Sequence, residues 1–177
     1  MEELKFPTGK CPDCTSPNSE ELKNWIKTIE DFPNELKKVT KDLTLEQLHW
    51  KYRPEGWTLK QVIHHCADSH MNSYIRFKLA LTEETPDIRP YYEDRWAELP
   101  DSLNNDISTS ITLLSALHLK WVYLLNTLSA KQLKLSFIHP EHGQKFLLDE
   151  NIGIYAWHCN HHLSHIKNAI LFKGKYN

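Results

Sequence analysis

The chain has no long apolar run: in 177 residues nothing approaches the roughly eighteen consecutive apolar positions that a membrane-spanning helix requires. Its first residues, Met1-Glu2-Glu3-Leu4-Lys5, hold no apolar segment of the kind that directs secretion, so a cytoplasmic protein is expected. An excess of one charge is also missing. Lys and Arg number 21 against 23 Asp and Glu, the formal net charge is -2, and the two signs are intermingled. No nucleic-acid partner and no membrane partner is therefore expected. Cysteine is scarce and poorly spaced for a disulfide framework. Cys11, Cys14, Cys66 and Cys159 read as free thiols, the last two lying beside histidines inside helical patterns. Internal repeats and low-complexity tracts are lacking too. A chain of this length suits one domain that buries about two thirds of the surface its unfolded form exposes.

Histidine is what the chain does have. There are 11, and His64, His65, His70, His158, His161, His162 and His165 fall within two short windows, 64–70 and 158–165.

Residues 1–18 carry Pro7, Gly9, Pro12 and Pro17 with little periodicity, and read as an extended arm that covers part of the domain or stays loose. The rest, 19–177, reads as one helical unit. From Ser19, apolar residues from Leu22 to Val39 recur at helical spacing, with a kink expected at Pro33. Thr44 with Gln47, and Thr58 with Gln61, have capping-box spacing; the first opens a short segment and the second a helix to about Leu81. Pro86, Pro90 and Pro100 make 85–105 a packed crossover loop, after which a third long helix runs from about Asp106 to Ser129. Leu133, Leu135 and Phe137 alternate before a turn at His139-Pro140-Glu141-His142-Gly143, which predicts a β-hairpin. Asp149 is placed to cap the last helix and Gly174 to end it. An all-α four-helix bundle with a long crossover loop and a small hairpin before the last helix is expected, its order not simply up-down-up-down.

His158 and His162 stand four apart, about one helical turn, so both imidazoles project from one stripe and can reach a single ion. The spacing also suits a solvated pair, and a metal needs a third ligand. On the second long helix, His64-His65 offers one ring that points inward whichever way the helix is rotated. His65, Ser69, Asn72 and Arg76 form one polar stripe that faces either the core or solvent; Val62, Cys66 and Ala67 beside His65 favour burial. Three neutral imidazoles leave a divalent cation uncompensated, which suits an open fourth position for an anionic ligand and a catalytic site more than a structural one. Zinc is the first choice and nickel the second, one per chain, because imidazole suits both.

Longer stretches carry a resemblance. Gly56-Trp57-Thr58 leads into His64-His65-Cys66-Ala67-Asp68-Ser69-His70-Met71-Asn72, Tyr74-Ile75-Arg76-Phe77-Lys78 and Leu81-Thr82-Glu83-Glu84-Thr85-Pro86. Ile88-Arg89-Pro90-Tyr91, Trp96-Ala97-Glu98-Leu99, Leu117-His118 with Trp121, His139-Pro140, and Tyr155-Ala156-Trp157-His158 with His161-His162 follow in order. From about residue 19 the chain resembles the YfiT branch of the DinB-like superfamily. The resemblance implies a four-helix bundle, often a homodimer, with a metal held by three histidines, here His65, His158 and His162. It also implies a metal-dependent hydrolase or a bacillithiol-type S-transferase. Cys11-Pro12-Asp13-Cys14 is outside the resembling pattern and reads as an incidental thiol pair.

Three functions compete. Hydrolysis of a small-molecule substrate needs metal-activated water, but no Glu follows His158 as in His-Glu-x-x-His proteases; Asp68 is the nearest acid in sequence to a ligand. Transfer of a low-molecular-weight thiol needs only a metal-held thiolate, with Arg76 a candidate to hold a carboxylate of that thiol. A non-enzymatic metal- or ligand-binding stress protein is the third. His70, His161 and His165 are candidates for contacts behind the ligands, while Trp57, Trp96, Trp121 and Trp157 read as walls. Tyr91 and Trp96 suit a lid or a dimer contact.

Overall fold

The computed structural model describes residues 1–141 and 143–177. Four long helices carry the fold: α2 (Ser19–Thr40), α4 (Leu59–Thr82), α6 (Ser108–Thr127) and α8 (Leu148–Leu171). Short helical turns accompany them: α1 (Glu2–Lys5), α3 (Leu45–Leu48), α5 (Glu93–Trp96) and α7 (Ala130–Leu133). The hairpin is β1 (Ser136–His139) with β2 (Gln144–Leu147), antiparallel, with Phe137 opposite Phe146. Among the described residues no helix is long and apolar enough to cross a membrane.

Local chemistry sets most boundaries. Asn18 with Glu21, Thr44 with Gln47, and Thr58 with Gln61 form complete capping boxes that satisfy orphan N–H groups at the starts of α2, α3 and α4. A further box, Ser129 with Gln132, starts α7. It takes Leu133 out of the strand expected for it, because its backbone closes a helical turn before β1 begins. Helix α2 continues through Pro33, the site of the expected kink. The expected cap at Asp149 is also corrected. Asp149 lies inside the first turn of α8, and its buried carboxylate accepts a 2.5 Å hydrogen bond from Lys134 Nζ, while Glu150 Oε2 accepts from the Leu147 N–H at the helix start. Gly174 stands beyond the end of α8 at φ +71°. Of the expected hairpin turn, His142 lies outside the described residues.

Helix α2 packs chiefly on α8 and α6, and α4 packs on the same two, so α2 and α4 are diagonal partners, as are α6 and α8. Helices consecutive along the chain are thus not always neighbours in the bundle, as the long connections permit. Ile29, Phe77, Trp121, Leu114, Ile152 and Ile166 form its dry centre. The crossover loop is fastened rather than draped. Lys60 Nζ donates to Leu103 O, Gln61 Nε2 to Ala97 O, and His64 Nε2 to Asn104 O, all from the first turns of α4. Its other end joins the hairpin, where Ile88 N–H donates to Ile138 O and Ile138 N–H to Pro86 O. Those anchors hold α4 in one rotation about its axis, which decides where His65 points.

Gly153 marks the tightest contact between α8 and the N-terminal arm. A Cβ there would stand 2.8 Å from Cys14 Sγ and 2.8 Å from Trp25 Cζ3. Overpacking costs about 1–3 kcal/mol, against about 1 kcal/mol that alanine returns through helix propensity. Gly153→Ala is therefore expected to lose ~1–2 kcal/mol in denaturant unfolding, and adding Cys14→Ala to recover part of it. Unchanged stability in the single variant would remove this reading of the contact.

Candidate metal centre

Helix α4 brings His65 opposite His158 and His162 of α8. One donor nitrogen from each lies within 4.8 Å of the others, and the ring centroids are 5.4, 4.9 and 4.4 Å apart. His65 and His162 are buried and His158 is half-buried. Burial, followed by the charge of His161, lowers His65 to about 4; burial also drives His158 and His162 well below the ordinary histidine value, their neighbouring histidines acting in the same direction. Neutral imidazoles with free lone pairs are what a divalent metal requires.

Which nitrogen is free can be worked out for His162. The Lys5 carbonyl only accepts, so His165 Nε2, 3.1 Å away, carries its proton and donates. Neutral His165 then holds its lone pair on Nδ1, 3.4 Å from His162 Nδ1, and takes a long hydrogen bond from it. That leaves the His162 lone pair on Nε2. His65 is set by packing instead, its ring 4.7 Å from that of Trp57. The donor set fits a zinc or nickel ion chemically, through His65, His158 and His162.

A cleft of about 310 Å³ opens onto this face, with His65, His161, His162 and His165 at its floor and Lys5, Phe6, Arg53, Glu55, Glu93 and Asp94 around it. The arm is thus part of the site. Its Lys5 carbonyl orients His165, its Phe6 ring lies 5.9 Å from His161, and Gly9 O accepts from Trp157 Nε1. His161, stacked on Trp157, keeps a buried Nδ1 without a partner among the described residues. His161, His162 and His165 also form a second group with donor atoms within 4.8 Å. His162 Nδ1 and both ring nitrogens of His165 are engaged in the hydrogen bonds just described.

Asp68 is not brought to the three histidines. It lies on the His64 side of α4, in a separate cavity with Asp101, Ser102 and Asn104, where burial and then Asp101 raise its carboxyl to about 6. Arg76 does share the stripe of His65 and Ser69, yet it is eleven residues, about 16 Å, farther along the helix. Its Nε is buried without a hydrogen bond among the described residues, and the Tyr91 phenol from the crossover loop interacts with Ser69 and feels the charge of Arg76. Tyr91 in turn packs on Trp96, 4.6 Å between centroids, so this part of the loop covers the stripe. Cys66 and Cys159 are buried and hydrophobically housed; burial pushes both thiols up, away from the thiolate a metal would take.

Sequence reasoning passed over Lys5, Phe6 and Arg53, which carry no local signal, and His118, which does carry one. His118 stands on the buried face of α6 between Leu114 and Trp121, a polar residue in an apolar stripe.

A family model described as the DinB superfamily matches residues 28–166. A Bacillus cereus protein named "Putative metal-dependent hydrolase" is 50% identical over 166 residues, covering 94% of this chain and 95% of that one. A Bacillus mycoides protein of the same description is 49% identical over the same span. Among solved structures, YfiT from Bacillus subtilis, described as "a probable metal-dependent hydrolase with an unusual four-helix bundle topology", superposes with a TM-score of 0.94 at 46% identity, over 97% of this chain and 98% of that one. Sequence, topology and the three-histidine cluster agree, and the chain belongs to the DinB superfamily, on its YfiT side.

Proposed function

We propose that the protein is a hydrolase of small-molecule substrates that depends on one divalent transition metal per chain, zinc before nickel, held by His65, His158 and His162. The observation that carries the reading is the convergence of three neutral imidazoles, two of which, His65 and His162, line an open cleft. A metal held there supplies Lewis-acid polarisation of a carbonyl or related group and lowers the pKa of water toward neutrality. The chain's own residues do the rest. Trp57 and Phe6 wall the cleft, Lys5 and Arg53 offer positive charge to an anionic part of a substrate, and exposed Glu55, Glu93 and Asp94 are the carboxylates within the cleft. The relatives' names point the same way.

The second reading, metal-dependent S-transfer from a low-molecular-weight thiol, is favoured by the same cations and by the lack, among the described residues, of a buried carboxylate against the three histidines to act as a tuned base. A cytoplasmic homodimer is part of the proposal; Leu119 and Tyr123 on the outer face of α6 stand 74% and 76% exposed, a surface suited to covering by a second copy.

Zinc-loaded protein is expected to turn over members of an ester and amide panel without added thiol, and to stop when a chelator removes the metal. Turnover only when a thiol and an electrophile are both supplied would transfer the assignment to the second reading. Inertness in both panels with zinc bound would remove the enzyme assignment.

A further inference from the structure

Three histidines of the bundle and one backbone carbonyl are joined in one hydrogen-bonded line that ends at the candidate metal centre. His118 Nδ1 lies 2.6 Å from the Ile29 carbonyl, His118 Nε2 lies 2.7 Å from His70 Nδ1, and His70 Nε2 lies 3.0 Å from His158 Nδ1. Ile29 is on α2, His118 on α6, His70 on α4 and His158 on α8, so the line threads all four long helices. His70 is fully buried and His118 2% exposed. Neither has a route to solvent through which a different proton arrangement could be satisfied.

The direction of every bond follows from its anchor. A carbonyl oxygen only accepts, so His118 must carry its proton on Nδ1 and donate it to Ile29. His70 and His118 are buried and have only histidine nitrogens and the Ile29 carbonyl as hydrogen-bond partners among the described residues, with no anion to balance a charge, so both rings are neutral and each has one proton to give. His118 Nε2 is then an acceptor and takes the proton of His70 Nδ1. His70 Nε2 is left as an acceptor in turn and takes the proton of His158 Nδ1. The His158 lone pair is thereby confined to Nε2, whose neighbour is Ser69 Oγ at 3.4 Å.

We infer that His70 and His118 are positioning residues: anchored on the Ile29 carbonyl, they fix the tautomer and ring orientation of His158 so that Nε2 is the atom presented to the metal. Neither residue touches the ion or a substrate. The geometry is the counterpart, on a longer line, of the His162–His165–Lys5 arrangement on the other side of the centre. Both ligands of α8 thus present Nε2 under instruction from a backbone carbonyl, one in α2 and one in the arm. Partners of this kind commonly change metal affinity by about 10- to 100-fold when lost. The inference rests on the metal site proposed above for its consequence, while the hydrogen-bonded line itself is testable without metal.

The first measurement is the histidine-ring nitrogen–proton correlation spectrum of the metal-free, full-length protein, assigned with His70, His118 and His158 variants. It is expected to show all three rings as the Nδ1–H tautomer. A proton on Nε2 of His158 overturns the inference whatever the variants do. The second compares His70→Leu with His70→Gln, whose amide can accept from His158 through Oε1 and donate to His118 through Nε2. His70→Leu is expected to give a tautomer mixture at His158 and about 10- to 100-fold weaker zinc binding in competition with a chromophoric chelator, with His70→Gln close to wild type in both. His70→Leu that retains the wild-type tautomer and affinity overturns the positioning role. If the wild type binds no zinc, the proposed metal site fails and the spectrum still decides the tautomer.

Discussion

His65→Ala is expected to reduce bound zinc from about one per chain to below about 0.1, measured by mass spectrometry of native protein after reconstitution and desalting. His158→Ala and His162→Ala should do the same, because two imidazoles with an otherwise unclosed coordination sphere do not retain the ion through buffer exchange. The three differ in what else they remove. His158→Ala leaves His70 Nε2 buried without its donor, and His162→Ala leaves His165 Nδ1 in the same state, each costing about 1–3 kcal/mol in the metal-free protein. His65→Ala mainly gives up packing against Trp57. It is the variant whose fold should be retained best, and its metal loss is the cleanest test. Zinc at a thousandfold over Kd stabilises the folded state by about 4 kcal/mol, equivalent to roughly 8–16 °C in Tm for a domain of this size. That shift should be present in the wild type and absent from all three variants. A variant that keeps a full equivalent of zinc removes its histidine from the ligand set.

The metal-free protein is expected to unfold cooperatively as pH falls from about 6.5 to about 4, followed by far- and near-ultraviolet circular dichroism with chelator present. His65 and His118 are each lowered by burial from 6.5 to about 4. Between those values the unfolded chain binds protons that the folded chain refuses. Their stabilising contribution is therefore complete above about 6.5 and is lost as pH falls through about 4. Each shift corresponds to ~3 kcal/mol, and the two together to ~6 kcal/mol, comparable with the 5–15 kcal/mol total typical of a domain. His70, His158 and His162 shift in the same direction and add to the loss. Metal binding also requires neutral imidazoles, so zinc should be released over the same range. A native spectrum persisting at pH 4 would mean that the buried histidines accept protons in place and that the core is wetter than its burial indicates.

Much of the bundle is legible in the chain because its signals are local. Thr58 and Gln61 announce α4, since a capping box involves only residues three apart, and the broad apolar face of α6 needs nothing but helical periodicity. Where local signals compete, the reading slipped. Ser129 and Gln132 draw Leu133 into α7, and Lys134 takes the Asp149 carboxylate that otherwise suits a cap. Asp68 shows a different failure. Sequence proximity to His65 suggests a shared role, but three residues along a helix turn the carboxyl onto the His64 face, beside Asp101.

The sequence by itself determined the four long helices, the crossover loop and the projection of His158 and His162 from one stripe of α8, because helix geometry dictates what lies four residues away. Helix geometry alone left His64 and His65 both open; the apolar neighbours of His65 and the family resemblance pointed to it, and the tertiary structure supplies the physical reason that it meets them. That choice depends on the rotation of α4, held by contacts from Lys60, Gln61 and His64 to a loop some forty residues distant. The tertiary structure also decided which nitrogen His158 and His162 leave free, through Ile29 and Lys5, whose carbonyls carry no side-chain signature at all. A backbone acceptor is common to every residue, and packing alone selects the two that terminate these lines.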